Sequence, residues 1–155
     1  MKQADKKLLI KDLCGRIPYG VKFVIDNDQN NVRTLNGIGE DIPYEDWQMC
    51  VFARGISAIP IEDIKPYLFP MSSMTKAQKK KYYSLADDVT LKPGEGSHFG
   101  IKIHCIKLGI SDNPHEGLWD DVDVDALDWL HKNHFDYRGL IEKGLAIDAT
   151  GLNIY

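Results

Sequence analysis

Two histidines, His131 and His134, are the side chains whose type and spacing come closest to a metal site. Residues three apart share one face of a helix, so both imidazoles could bind one zinc ion. The candidates for a third ligand are His98, His104, His115 and Asp136. A metal-bound water would then be the nucleophile of a hydrolase. The competing interpretation is structural, because histidine near a helix C-terminus is favoured by the helix dipole alone.

A dense run of aromatic and charged side chains follows directly and consists of Phe135, Asp136, Tyr137 and Arg138. We predict that Arg138 pairs with Asp136 or a neighbouring carboxylate, while Phe135 and Tyr137 anchor the turn to a sheet. The run would then be a clasp that joins the C-terminal half of the chain to the core. The alternative is that these four residues form an interaction surface for a protein partner, since Tyr and Arg are enriched at binding hot spots.

Other patterns that carry chemistry fail on their spacing. The aspartates in residues 120–125 resemble a calcium loop, but Ala126 stands where a glycine is needed and Lys132 where a glutamate should close the site. Gly37 and Gly39 lack the third glycine and the following helix of a phosphate-binding loop. The catalytic residues are therefore unknown, and the sequence favours a protein that is not an enzyme. It predicts no cofactor, with zinc as the exception that the two histidines leave open.

The charges are divided unevenly along the chain. Residues 1–82 carry 13 Lys and Arg against 10 Asp and Glu, whereas residues 83–155 carry 6 against 13. The net charge is −4. Nucleic-acid binding draws its affinity from many contacts between Lys or Arg and phosphate, so this composition disfavours a nucleic-acid partner. A third alternative, weak nucleic-acid binding through Lys22, Arg33, Arg54 and the lysines at 79–81, predicts a steep loss of affinity with salt.

The apolar runs and the cysteines indicate in which cellular compartment the protein is located. No stretch approaches the roughly 20 apolar residues that span a bilayer, and the first residues lack the apolar run of about 7–15 residues that a secretory signal needs. The three cysteines, Cys14, Cys50 and Cys105, are odd in number and widely spaced, which is typical of reduced thiols. We therefore expect a cytoplasmic protein that does not contact a membrane.

The hydrophobic pattern predicts an α+β fold in a single domain, 1–155, with an alternative subdivision into a β-rich part, 1–70, and a helical and strand part, 71–155. Apolar runs and alternation predict strands at 21–26, 32–38, 47–54, 56–59 and 98–108. These strands would form a small antiparallel sheet or a partly open barrel, for which an SH3-like barrel is one candidate. Three or four short helices would pack with it.

The helices are predicted from apolar faces and from start and stop signals. They span about 5–14, 75–86 and 124–133, and a helical turn after Pro60 would place Ile61, Ile64 and Leu68 on one face. Thr75 and Gln78 have the spacing of a capping box, in which each side chain satisfies a backbone group at a helix start. The last helix would carry the two candidate zinc ligands at its C-terminal end.

Two blocks of sequence carry a resemblance: IKPYL with PMSSMT over residues 64–75, and DWL with HFDYRGLI over residues 128–141. Together they resemble a family of short, uncharacterised proteins from gut bacteria that are associated with prophages and other mobile elements. The resemblance is loose over the N-terminal strands, and residues 87–116 depart from the family pattern. The resemblance implies that the protein is encoded by a prophage or another mobile element, and it carries over no catalytic residue.

The sequence thus predicts a non-enzymatic binding or accessory module, associated with a phage or mobile element, that acts through a protein–protein surface. Its partner is not identified by any pattern. The alternative function is a metal-dependent hydrolase that uses His131 and His134 with a third His or Asp.

Overall fold

The computed structural model describes residues 1–41, 48–85 and 124–155. Within them the helices are α1 (Gln3–Arg16), α2 (Lys76–Leu85) and α3 (Val124–Lys132). The strands are β1 (Lys22–Ile25), β2 (Val32–Asp41), β3 (Gln48–Ala53), β4 (Ile56–Pro60), β5 (Ile64–Pro70), β6 (Phe135–Asp136) and β7 (Ile147–Asp148). The predicted α+β class is confirmed, and the SH3-like alternative stays a prediction. The strand predicted at 98–108 lies outside the described residues.

The described chain divides into two compact units. The first unit comprises residues 1–73 and 131–155, and the second comprises residues 74–130. The first unit therefore contains both ends of the chain. None of the helices in the residues that the structure describes is long and apolar enough to cross a membrane.

The sheet of the first unit is mostly antiparallel. Its strand order is β4-β3-β2-β1-β5-β6, and β7 also pairs with β5. Strands β1 to β4 follow one another along the chain and each pairs antiparallel with the next, as predicted for a small antiparallel sheet. The two short C-terminal strands, β6 and β7, instead run parallel to β5. They bring residues 131–155 back onto the N-terminal part of the chain.

A close contact between β2 and β3 explains one of the glycines in the sheet. Gly39 lies beside the ring of Phe52, and a Cβ at this glycine would be 3.2 Å from the ring. A larger residue would push the ring away from the strand. The small residue at this position therefore allows the aromatic side chain to cover the backbone of β2.

The helical turn predicted after Pro60 is wrong beyond Asp63. Only Ile61–Asp63 form a 3-10 turn, and Ile64–Pro70 form β5, which pairs with β1, β6 and β7. Side chains on both faces of this strand are buried, so its sequence is almost continuously apolar. Such a run cannot be distinguished from a buried helix by periodicity alone. Ile64 and Leu68 are apolar because both faces of the strand are buried, and their helical spacing arises by chance.

The apolar core of the first unit is formed from both ends of the chain. One cluster combines Leu9 and Leu13 of α1 with sheet residues such as Phe23, and with Leu140 and Leu145 from the C-terminal segment. A second cluster combines the buried residues Val24, Tyr67 and Ala149, packed by Ile147 and Ile154. Full burial of a Leu or Phe side chain contributes roughly 1.5–3 kcal/mol. The C-terminal segment is therefore part of the core of this unit.

The second unit contains the predicted capping box. The backbone N–H of Thr75 donates to Oε1 of Gln78 at 2.8 Å, and the backbone N–H of Gln78 donates to Oγ1 of Thr75 at 3.2 Å. This reciprocal pair starts α2, and the prediction is confirmed. Tyr82 on α2 is buried, and its ring centroid lies 6.0 Å from that of Trp129 on α3. The two helices of this unit thus contact through aromatic side chains.

Candidate functional site

The first unit contains a group of buried polar side chains within the part of the chain that the structure describes. We call Asp12, Arg16, His131, Tyr137 and Arg138 the Asp12 cluster. All five side chains belong to residues that are at most 7% exposed. Charged and polar groups are buried at this level only when they are paired, so their partners decide what the cluster does.

A buried ion pair within α1 forms the centre of the cluster. Asp12 and Arg16 are four residues apart and therefore lie on one face of the helix. Nε of Arg16 donates to Oδ2 of Asp12 at 2.6 Å, and Nη2 donates to Oδ1 at 3.0 Å. Nη2 also donates to the carbonyl oxygen of Phe135 at 2.8 Å, which ties α1 to β6. Burial alone would lower the pKa of Arg16, but the Asp12 carboxylate outweighs it and the pKa is raised, so the guanidinium stays charged.

A second arginine shares the same carboxylate. Nε of Arg138 lies 3.4 Å from Oδ1 of Asp12, an ion-pair distance without a hydrogen bond. The guanidinium carbon of Arg138 lies 4.7 Å from the centroid of the Tyr137 ring, a cation–π contact. Of the two predicted partners for this arginine, Asp136 or a neighbouring carboxylate, the structure shows the second. The carboxylate that it meets comes from α1, at the other end of the chain.

Asp136 instead holds the turn that follows β6. Its Oδ1 accepts a hydrogen bond from the backbone N–H of Leu140 at 2.9 Å, and its Oδ2 accepts one from that of Ile141 at 2.8 Å. Burial raises the pKa of Asp136, although these two hydrogen bonds act in the opposite direction. Gly139 lies within the turn at φ +69°, a conformation that favours glycine. The buried carboxylate is thus used to fix the backbone of the C-terminal segment.

The imidazole of His131 is bonded to a tyrosine. Its Nε2 lies 2.7 Å from the hydroxyl oxygen of Tyr137. Burial raises the pKa of Tyr137 to about 12, so the phenol is protonated at neutral pH. The other side of the imidazole lies against Gly15 of α1, where a Cβ would overlap the ring. A glycine near the end of α1 therefore makes room for this histidine.

We predict that Gly15→Ala lowers the stability of the protein. At an unobstructed helix site the same change stabilises by roughly 0.5–1 kcal/mol. Here the added methyl group would displace the His131 ring from Tyr137, and such overpacking costs about 1–3 kcal/mol. Urea unfolding measures the difference. The matched control is Cys14→Ala at the preceding, exposed position of α1, which we expect to change stability by less than about 0.5 kcal/mol. An equal or higher stability of Gly15→Ala would contradict the close contact.

His134 occupies a different position from His131. Its backbone has φ +57°, and its ring stacks on that of Tyr155 with a centroid distance of 4.0 Å and an angle of 14°. Its Nδ1 has no hydrogen-bond partner in the part of the chain that the structure describes. Burial, and then the positive charges of Arg16 and Lys22, lower the pKa of His134 to about 4. The ring is therefore neutral at pH 7.

The last residues of the chain are bonded to the sheet. The hydroxyl of Tyr155 donates to the carbonyl oxygen of Tyr67 at 2.8 Å and accepts from the backbone N–H of Lys22 at 3.1 Å. Nζ of Lys22 donates to the carbonyl oxygen of Ile154 at 2.5 Å. These contacts hold the C-terminus beside β1 and β5, with the His134 ring stacked on its final tyrosine.

The zinc hypothesis stays a prediction. Within residues 1–41, 48–85 and 124–155, no group of three or more His, Cys, Asp or Glu side chains is placed to hold a metal ion. Three of the candidate third ligands, His98, His104 and His115, lie outside the described residues. The fourth, Asp136, is engaged by two backbone amides.

The interaction residues predicted from the sequence are all buried. Phe135 and Tyr137 are each 2% exposed, Arg138 is 5% exposed and Asp136 is 7% exposed. This burial agrees with the clasp interpretation, because Tyr137 and Arg138 contact α1, Phe135 contacts Phe69 of β5, and Asp136 binds the following turn of the same unit. The interaction surface stays a prediction.

Sequence reasoning missed Asp12 and Arg16. A signal for them was present in their spacing, since an acid and a base four residues apart stabilise a helix face. The pattern did not reveal that this pair is buried or that it contacts residues 135–138.

Comparisons of the chain with protein-family models, curated proteins and solved structures find no match. What the protein does is therefore inferred from its own geometry.

Proposed function

We propose that the protein is a non-enzymatic binding or accessory module that acts through a protein–protein surface in the cytoplasm. One observation supports this most strongly. Among the residues that the structure describes, the side chains of the Asp12 cluster and of Asp136 are buried, and they are bonded to one another and to the backbone of the same unit. The Asp12 cluster and Asp136 therefore serve to hold a scaffold.

A catalytic group has to contact its substrate. His131 and Asp136 are each 7% exposed and Tyr137 is 2% exposed, and their polar atoms already bind protein atoms. A substrate would reach these groups only if the first unit opened. Their bonds instead fix residues 131–141 internally, and Arg16 ties this segment to α1 through the carbonyl oxygen of Phe135. A scaffold that is rigid before binding loses less entropy when a partner docks. In this proposal Phe135, Asp136, Tyr137 and Arg138 keep the first unit rigid and do not themselves form the interaction surface.

The setting that we propose is a prophage or another mobile element. It rests on the resemblance of residues 64–75 and 128–141 to the family of short gut-bacterial proteins. The cytoplasmic location is supported by the free thiols of Cys14 and Cys50, which are typical of a reducing compartment.

Zinc titration distinguishes this proposal from the metal-dependent hydrolase. A site filled at a zinc concentration one hundred times its dissociation constant would add about 2.7 kcal/mol of stability. That gain corresponds to a rise in Tm of about 2–4 °C for each kcal/mol in a protein of this size. We expect the Tm of the untagged protein to be the same in zinc and in EDTA. A rise that disappears in His134→Asn, together with zinc-dependent hydrolysis of an ester, would establish the hydrolase instead.

The positive test is recovery of a partner. The tagged protein, purified from its native host under reducing conditions, is expected to carry one other protein in a fixed molar ratio. Recovery of the protein alone under conditions that preserve weak complexes would count against a binding module.

A further inference from the structure

One face of α2 carries lysines around an exposed tyrosine. Lys76 and Lys80 are exposed, Lys79 is half-buried and Tyr83 is 38% exposed. At 100° per residue these four positions fall within one arc of the helix, with Tyr83 between the lysines. Tyr82, by contrast, is buried against Trp129.

This arrangement is unfavourable for the helix by itself. Lys76 and Lys80 are four residues apart, and like charges at that spacing destabilise a helix by about 0.2–0.5 kcal/mol. Lys76 also lies in the first turn, where the helix dipole favours a negative charge. The helix contains no Asp or Glu, and among the described residues none of its lysines forms an ion pair. A negatively charged partner on this face would relieve both costs.

The size and the charge of the protein limit what that partner is. The helix has 10 residues and is therefore about 15 Å long, the span of roughly five residues of extended chain. A long polyanion would extend beyond it and meet a protein whose net charge is −4. A short acidic segment would meet only the lysines. Tyr83 would supply the amphipathic aromatic anchor that protein interfaces favour.

We infer that the α2 face formed by Lys76, Lys79, Lys80 and Tyr83 binds a short acidic segment of a partner protein. The carboxylates of that segment pair with the lysines, and an aromatic or aliphatic side chain among them packs on the ring of Tyr83. This inference rests on the proposed function, because it names the surface through which the binding module acts.

A labelled peptide tests the surface without knowledge of the partner. The probe is fluorescein-Glu-Glu-Trp-Glu-Glu, and its binding is followed by fluorescence anisotropy at low ionic strength. In the double variant Lys76→Glu, Lys80→Glu we expect the dissociation constant to rise about tenfold or more, since two attractive pairs become repulsive. The matched control is Lys7→Glu, Lys11→Glu, which reverses two exposed lysines at the same spacing on α1 and leaves the net charge equal. We expect the control to bind like the wild type.

Helix content measured by circular dichroism excludes unfolding as the cause. A glutamate at position 76 suits the first turn of α2, so the double variant is expected to fold at least as well as the wild type. Equal binding by the two double variants, or no binding of the peptide to the wild type, would overturn the inference. Tighter binding of single-stranded (dT)20 than of the peptide would overturn it in favour of nucleic acid.

Photo-crosslinking in the native host separates this inference from the proposed function. A photoreactive residue replaces Ser84, at the edge of the α2 face, or Asn36, an exposed residue of β2. We expect the Ser84 position to crosslink to an acidic segment of one protein, and the Lys76→Glu, Lys80→Glu change to abolish the crosslink. Capture from Asn36 alone would overturn the α2 surface and leave the binding module standing. No capture from either position would contradict both.

Discussion

Replacement of Asp12 by asparagine is expected to lower the free energy of unfolding by about 3–5 kcal/mol. Asparagine keeps the shape of the side chain and removes its charge. Arg16 is fully buried and Arg138 is 5% exposed, and both would lose the carboxylate that they share. Uncompensated buried charges cost much more than the pair itself contributes. Urea unfolding monitored by tryptophan fluorescence measures the loss.

A surface ion pair provides the control for Asp12→Asn. Lys6 and Glu62 are separated by 3.1 Å, but their side chains are 21% and 37% exposed. Glu62→Gln should therefore cost no more than about 1 kcal/mol. If Asp12→Asn were as mild as Glu62→Gln, the buried cluster would not hold the first unit together.

Stability is expected to fall by about 3 kcal/mol between pH 7 and pH 4 because of His134 alone. Burial, followed by the charges of Arg16 and Lys22, lowers the pKa of this histidine from 6.5 to about 4 in the folded protein. The unfolded chain therefore binds the proton first as the pH falls. The contribution is fully present above pH 6.5, declines below it and is lost once the pH has passed through 4.

The variant His134→Asn isolates this contribution. Asparagine tolerates the left-handed backbone at this position better than most residues do, and it does not titrate. Urea unfolding at pH 7, 6, 5 and 4 compares the variant with the wild type, and carboxylates elsewhere affect both proteins alike. We expect the difference in stability between them to change by about 3 kcal/mol across this range. A constant difference would mean that His134 titrates normally in the folded state.

The parts of the fold that the sequence predicted are those with a local signal. Strand β1 and the capping box of Thr75 and Gln78 depend on neighbours within a few positions, and both predictions are confirmed. Strand β5 was misassigned because its two faces are both buried, which removes the alternation. Strand β6 has only two residues and exists because it pairs with β5, a partner 66 positions earlier in the register of Phe69 with Phe135.

The Asp12 cluster shows the same limit of prediction from local sequence patterns. The composition of the run from Phe135 to Arg138 predicts a clasp. It does not predict the contacts of this run with Asp12 and Arg16, because those residues lie at the opposite end of the chain and a helix with charged residues is usually exposed. Arg16 and the carbonyl of Phe135 are separated by 119 positions, and no local pattern predicts their hydrogen bond. Contacts between residues that are far apart in the sequence, and the burial that these contacts produce, are therefore seen only in the structure.

Amide hydrogen exchange, read residue by residue, tests most directly whether the C-terminal segment and the N-terminal elements form one cooperative unit. The backbone amide of Phe69 donates to the carbonyl oxygen of His134, and that of Ala149 donates to the carbonyl oxygen of Leu68. Both hydrogen bonds join the C-terminal segment to β5. The amide of Leu35, which donates to Val21, serves as the reference within the N-terminal strands. We predict that all three exchange with the same free energy of opening. Exchange of Phe69 and Ala149 that is orders of magnitude faster than that of Leu35 would show that residues 131–155 open independently, and would contradict a scaffold held together by the Asp12 cluster.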